Sequence, residues 1–316
     1  MSIAVQPKKP VRAPVPVVRR PRRRKERWLS YVFLSPWLIG FFGMTLLPMA
    51  ISLYLSFTEY DVLSDPTWVG WENYRDLFSD PRYLQSVKVT LTFVLISVPL
   101  KLAFALFVAV VLNRGIRSAN TYRAIYYLPS LIGASVAMAI VWRQLFTEDG
   151  VVNTVLRGLG MSDPPSWLSD PSASIWTLIF LAVWEFGAPM IIFLAGLRQV
   201  PLELYEAARV DGASRWMQFW KITWPLLSPI VLFNLVLQVI GSFQAFAPAY
   251  VISGGTGGPL DGTLFYTLYL YQQGWGSLHM GYAAAMAWVL LIGIALLTAG
   301  IFATSRRWVF YAGEDT

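Results

Sequence analysis

Apolar runs of about 20 residues or more recur along this chain, and buried strands or ordinary core helices do not need that length. At 1.5 Å per residue, such a run is what an α-helix requires to cross the hydrocarbon of a bilayer. Lipid offers the backbone no hydrogen-bond partners, so segments of this kind must satisfy their own as helices. The expected class is therefore all-α and polytopic. Composition agrees: 56% of the 316 residues are apolar and 14% are Asp, Glu, Lys or Arg, against roughly 25% charged in a soluble domain.

The length criterion places six spans, near residues 28–57, 86–112, 123–146, 174–197, 225–252 and 280–304. Residues 1–27 are rich in Pro, Val and Arg without periodicity, and are expected to be a disordered tail. As the basic region of a secretory signal they would precede a short apolar stretch; the run at 28–57 is about twice that length and has no Ala-x-Ala exit, which favours an uncleaved span. The chain thus divides into a basic tail (1–27), a first span with its outer interfacial loop (28–85), a membrane core (86–304) and a C-terminal tail (305–316).

Sidedness follows from the basic residues, which resist translocation. With the N-terminus inside, 19 Lys and Arg fall in inner segments, including Arg114, Arg117 and Arg123, and only Arg75, Arg82, Lys88 and Arg157 fall outside. Six crossings put both termini in the cytoplasm. The formal charge of +7 is a sidedness label: ten basic residues lie within the tail, and the remainder is net −2. That distribution does not describe a nucleic-acid face.

Zero cysteine excludes thiolate nucleophiles and cysteine-ligated metals, and the one histidine, His279, has no partner ligands in sequence. No P-loop motif occurs, so ATP hydrolysis by this chain is not expected. The glycine run 254–258 lies outside the membrane and reads as an outer gate or docking loop, and the loops at 58–85 and 147–171 read as interfacial anchors around Trp68, Trp71, Tyr74 and Trp167.

The inner loop 198–224 has helical character. Pro201 suits a first helical position, Glu203 and Glu206 suit the first turns, and Asp211-Gly212 supplies a stop. Ser214 can cap a second short helix bearing Trp216, Phe219 and Trp220. Within this loop, Glu206-Ala207-Ala208, Gly212, Ile222 and Trp224-Pro225 resemble the EAA signature of the membrane subunits of binding-protein-dependent ABC importers, with Trp224 where that family usually has Leu. Phe193-Leu194-Ala195-Gly196-Leu197, Leu204-Tyr205-Glu206, Val210-Asp211-Gly212-Ala213-Ser214 and Met280-Gly281-Tyr282-Ala283-Ala284-Ala285 narrow the resemblance to carbohydrate permeases of the maltose and multiple-sugar type. The resemblance implies the type I importer permease fold. It also implies a second, homologous permease chain, two ATPase subunits that hold ATP and magnesium, and an outer solute-binding protein. This chain itself would bind no cofactor and catalyse nothing. Glu206, Ala207, Ala208, Asp211 and Gly212 are the ATPase-coupling residues by the same implication, and the setting is a prokaryotic cell membrane.

Two charges fall at mid-membrane depth, Lys101 and Glu185. Intramembrane charges usually face a bundle interior or a watery path, and matched depth permits an ion pair between them. In the fifth span Asn234, Gln238, Gly241, Ser242 and Ala245 share one helical face. That stripe either joins helices by hydrogen bonds or lines a path for a hydroxyl-rich solute. The similar maltose-type permeases take their sugar contacts from the two spans flanking the EAA loop, which points to Glu185, Gln238 and Ser242, with Trp184 as a stacking platform. An ion-coupled carrier, with Lys101 and Glu185 as a relay, and a sensory membrane subunit are the competing readings.

Overall fold

The computed structural model describes residues 24–114, 119–133 and 135–310. Most of the tail 1–27, Arg117 and the end of the segment 305–316 therefore lie outside the described residues. The chain up to Ile51 and the chain from Ser52 form two units. In the first, α1 (Arg24–Gly40) passes through a π-helical stretch, Phe41–Leu46, into α2 (Leu47–Leu55), which straddles the boundary. Among the residues of this stretch whose side chains are described, none is buried, and Phe33 and Met44 are 80% and 84% exposed. An apolar helix that hides no face belongs in lipid or against another chain.

The second unit opens with a two-stranded antiparallel ribbon, β1 (Thr58–Glu59) and β2 (Thr67–Trp68), in the register Thr58 to Trp68. It is the one departure from an all-helical chain among the described residues. Asn73 Nδ2 donates to the carbonyls of Ser56 and Thr58 at 3.0 and 2.9 Å, tying α3 (Glu72–Ser79) beneath it.

The centre is α4 (Pro81–Leu112), about 48 Å long at the standard rise. Pro81 starts it without wasting a donor, and the Asp80 carboxylate accepts from the Arg82 amide at 2.9 Å. Its buried positions Ser97, Val98, Leu102, Ala105 and Ala109 follow helical spacing. After it come α5 (Ala119–Ile132) and α6 (Val136–Leu145), α7 (Val151–Gly158), α8 (Pro171–Trp184) and α9 (Gly187–Leu197). Then follow α10 (Leu202–Val210), α11 (Arg215–Gln218), a π-helical turn at Phe219–Thr223 and α12 (Trp224–Phe243). The chain ends through α13 (Ala247–Ile252), α14 (Tyr266–Tyr271) and α15 (Met280–Ser305). α4 packs on α8, α9, α12 and α14. Small residues allow the approach: a Cβ on Gly196 would strike Ile230, and membrane helices gain their association from this kind of close packing.

Four helical stretches are long and apolar enough to cross a membrane: Tyr31–Leu55, Pro81–Leu112, Arg215–Phe243 and Met280–Ser305. Two bent pairs, α5 with α6 at 99° and α8 with α9 at 41°, make six if each counts as one span. The sequence places spans over 174–197 and 225–252; the first is broken at Glu185–Phe186, four residues before Pro189, and the second ends at Phe243. Pro248, which cannot donate, sits in the first turn of the separate helix α13.

Candidate functional site

The loop 198–224 is built from local rules. Pro201, expected at the first helical position, is instead the cap (φ −58°, ψ 131°), so α10 starts one residue later, at Leu202, and runs to Val210. Gly212 takes φ +75° with open space around it. Its role is therefore the left-handed conformation, not room for a neighbour. The Gly212 amide donates to the Arg209 carbonyl at 3.1 Å and the Ala213 amide to that of Ala208 at 2.8 Å. This is the paired closure that ends helices with glycine one residue past the cap. Ser214 then caps α11 through the Met217 amide at 3.3 Å.

The loop hangs from the start of α12. The hydroxyls of Tyr205 and Thr223 bond at 2.8 Å, and Gln218 Nε2 donates to the Ala213 carbonyl at 2.9 Å. Everything else on α10 faces out. Glu206, Ala207, Asp211 and Gly212 are exposed, Ala208 is half-buried, and Leu202 and Val210 are 62% and 89% exposed. A capped helix with small residues, two apolar ends and a carboxylate, none of them used internally, is suited to a partner's cleft.

The other predicted residues meet in the interior. A cavity of about 200 Å³ is lined by Lys101, Glu185, Gln238, Gly241 and Ser242, with Phe93 and Phe265 among its apolar walls. Lys101 Nζ lies 3.7 Å from Glu185 Oε2. Trp184 is the correction: it does not line the cavity, and its ring sits 5.5 Å from that of Trp142 on α6. Leu178, Leu181, Ala182 and Glu185 form the cavity face of α8 at helical spacing, and Trp184 projects from the neighbouring face. Asn234, one turn inward, is fully buried, and its amide has no partner among the described residues.

Glu185 stands at the break between α8 and α9, which leaves backbone groups without helical partners. One side chain serves both sides. Ser130 Oγ on α5 donates to the Glu185 carbonyl and accepts from the Ala188 amide, each at 2.9 Å. Gly187 lets α5 come this close, because a Cβ there would collide with the Tyr126 carbonyl oxygen. Gly133, at the bend between α5 and α6, lies against the Glu185 carboxyl with no room for a Cβ. The carboxylate thus touches the bend of one helix pair from the break of another, and reaches α4 through Lys101.

Sequence reasoning missed the N-terminal end of α4. Asp80 accepts from the hydroxyls of Tyr269 on α14 and Tyr282 on α15. Partial burial opposes ionisation of Asp80, but these two hydroxyls and the Arg82 amide outweigh it and hold the carboxyl below the usual range. Burial and the same carboxylate push the Tyr269 phenol up to about 12. Arg82 makes a two-pronged pair with Asp261 at 2.9 and 2.8 Å, and its guanidinium lies 5.4 Å from the centre of the Tyr269 ring. Asp261 follows the glycine run, in which Gly254, Gly255, Gly257 and Gly258 all take positive φ. His279 Nδ1 lies 3.0 Å from Gln273 Oε1. Among the described residues no group of three His, Asp or Glu is placed to hold a metal.

Residues 81–309 match the family described as binding-protein-dependent transport system inner membrane component. The chain is 51% identical over 293 residues to the "Probable ABC transporter permease protein YesP" of Bacillus subtilis (strain 168), covering 92% of this chain and 95% of that one. It is 32% identical over 283 residues to the lactose transport system permease protein LacF of Rhizobium radiobacter, covering 88% and 94%. Among solved structures, a bacterial alginate ABC transporter in complex with alginate pentasaccharide-bound periplasmic protein holds a chain with TM-score 0.75 and 25% identity, over 90% of this chain and 96% of that one. The expected fold, that of type I importer permeases, is the one found. The chain belongs to the family of inner-membrane components of binding-protein-dependent transport systems.

Proposed function

We propose that this chain is one of two membrane-spanning subunits of an ATP-driven importer that carries a sugar or related polyhydroxy solute across a prokaryotic cell membrane. The names of its relatives support the substrate class: lactose for LacF and alginate for the solved transporter. The second permease chain, two ATPase subunits and an outer solute-binding protein complete the assembly, and ATP and magnesium belong to the ATPases. The distribution of 19 inner against four outer basic residues supports six crossings with both termini cytoplasmic. In that orientation 1–27 and 305–316 are cytoplasmic tails, 28–85 is the first span with its outer loop, and 86–304 is the transport core, with the coupling loop at 198–224.

The observation that carries this reading is the continuity from loop to path. α10 is exposed and capped, and the 11 residues of α9 connect its base to the break at Glu185, which lines the cavity. An ATPase closing on Glu206, Ala207, Ala208, Asp211 and Gly212 would move α9 about that break. The cavity, with Gln238 and Ser242 opposite Glu185, is smaller than the roughly 300 Å³ at which ligand pockets begin, so solute passage requires it to widen.

Glu206→Lys tests the reading. Uptake and co-purification of the ATPase are expected to be lost while membrane insertion is unchanged; uptake that persists, or transport in proteoliposomes without any ATPase, overturns it. Membership of a binding-protein-dependent family leaves the ion-coupled carrier without an observation in its favour.

A further inference from the structure

The inner end of α4 carries a second, larger pocket, walled in part by the coupling loop, that shares no lining residue with the central cavity. About 820 Å³ in volume, it lies between α4, the end of α9, α10 and the π-helical turn before α12. Arg114, Arg209 and Arg215 line it, and none of the three takes part in an ion pair among the described residues. Trp216, Phe219 and Trp220 form another wall, with ring centres 5.3 to 6.5 Å apart, and Trp216 remains 73% exposed.

The third wall decides the chemistry of the occupant. Ala103, Leu106, Phe107 and Val110 line the pocket from α4, at the spacing of a single helical stripe. From Arg114 back to Ala103 that stripe runs about 16 Å along the helix. Arg114 follows the end of one membrane-crossing stretch, Arg215 begins another, and the two line this one pocket, so they stand at the same membrane face. A pocket with unpaired guanidinium groups at its mouth, tryptophans at the interface and an apolar shaft into the hydrocarbon fits an amphiphile with an anionic head. An acidic protein surface would engage the arginines and leave the shaft empty; a free phosphate would do the same.

We propose that this pocket binds one anionic phospholipid, its headgroup phosphate among Arg114, Arg209 and Arg215 and an acyl chain along α4. The assignment to the inner leaflet rests on the orientation proposed above; the headgroup chemistry does not. Arg209 belongs to α10, so the bound lipid would brace the coupling loop against α4 from the membrane side.

The test is native mass spectrometry of the full chain released from mild detergent with added phosphatidylglycerol, phosphatidylcholine or inorganic phosphate. One phosphatidylglycerol should be retained in preference to phosphatidylcholine. The double variant Arg114→Gln/Arg215→Gln should bind it about 30-fold more weakly, at about a factor of five for each arginine lost near an anionic headgroup. Arg114→Lys/Arg215→Lys, which keeps the charge, should retain most of the affinity and serves as the folding control, together with an unchanged thermal transition of both variants. Equal retention of the two lipids overturns the proposal, as does an undiminished preference in a folded Gln variant. Competition by inorganic phosphate at similar concentration reassigns the pocket to free anions. Loss of ATPase co-purification in the Gln variant without any lipid preference reassigns it to a protein. Neither outcome bears on Glu206→Lys, so this proposal and the coupling reading fail separately.

Discussion

Two acid–base pairs stand on α4, and they are opposites. At its N-terminal end, outer in the proposed orientation, Arg82 meets Asp261 with near-ideal two-pronged geometry, yet both side chains are substantially exposed, at 48% and 25%. In its middle Lys101 and Glu185 meet at a loose 3.7 Å, with 13% and 20% exposure. Geometry ranks the first above the second; surroundings reverse the order. Water and salt screen the outer pair to a value near 0–1 kcal/mol. The inner pair lies where, among the described residues, neither charge has a second ion-pair partner, so loss of one leaves a stranded ion. The better-formed contact is expected to matter less.

The sharpest break in the comparison comes from removing one inner partner. Glu185→Ala should destabilise the chain by about 3–5 kcal/mol, because Lys101 is left charged and buried. Lys101→Met with Glu185→Leu should recover most of that stability, since paired removal leaves no stranded charge. Thermal unfolding of the purified variants measures both. If transport stays lost in the stable double variant, the carboxylate acts in the path and not only in the packing. If the double variant is as unstable as the single, stability does not follow from charge pairing and the ranking is wrong.

The inner pair could be anticipated, since two isolated charges at matched depth in apolar spans restrict the choice of partner. The coupling loop was legible for a different reason: capping, glycine closure and first-turn acids are local rules, and Gly212 obeys them with only the start of α10 displaced by one residue. The break at Glu185 has a local cause, Pro189, which has no amide to give the Glu185 carbonyl four residues back and crowds it. Its partner was not legible: Ser130, 55 positions earlier, supplies the hydroxyl that takes up the freed carbonyl. Gly133 and Gly187 likewise matter for what approaches them from another helix. Trp184 was misplaced because residue type suggested stacking where helical phase governs. The outer cluster joins Asp80 to residues 189 and 202 positions away, a pairing that no local pattern carries.

Asp80 lies between the two extremes and sharpens the scale. Its carboxylate is half in water, but it holds α14 and α15 by two hydroxyls and caps α4. Asp80→Asn keeps an oxygen for the cap and loses the charge-assisted bonds, so a cost of about 1–2 kcal/mol is expected. The pH dependence has a definite sign. A carboxyl whose folded pKa is depressed contributes stability above its unfolded value, and that contribution disappears as pH falls through the folded value. The wild-type chain should therefore lose stability below about pH 4, and Asp80→Asn should lose less over the same interval. Acid unfolding curves that stay parallel in the two proteins would remove Asp80 from the outer clamp.

The smallest effect is expected at Arg82. Arg82→Ala should cost less than about 1 kcal/mol, and the difference from wild type should shrink further in about 1 M salt, where screening extends to 3 Å. The neighbouring backbone supplies the alternative. Leu260 and Asp261 hold φ of +48° and +54°, and Leu260 is 86% exposed, so nothing packs that leucine into its strained conformation. Strain of this kind costs about 1–3 kcal/mol and persists only where surrounding contacts enforce it. If Arg82→Ala proves costlier than the screened pair allows, the two-pronged bond is what enforces the turn, and Leu260→Gly should then abolish most of the difference by relieving the strain. If the cost is small and salt-sensitive, the turn is held by the glycine run itself, and the ranking of the two pairs follows from their exposure.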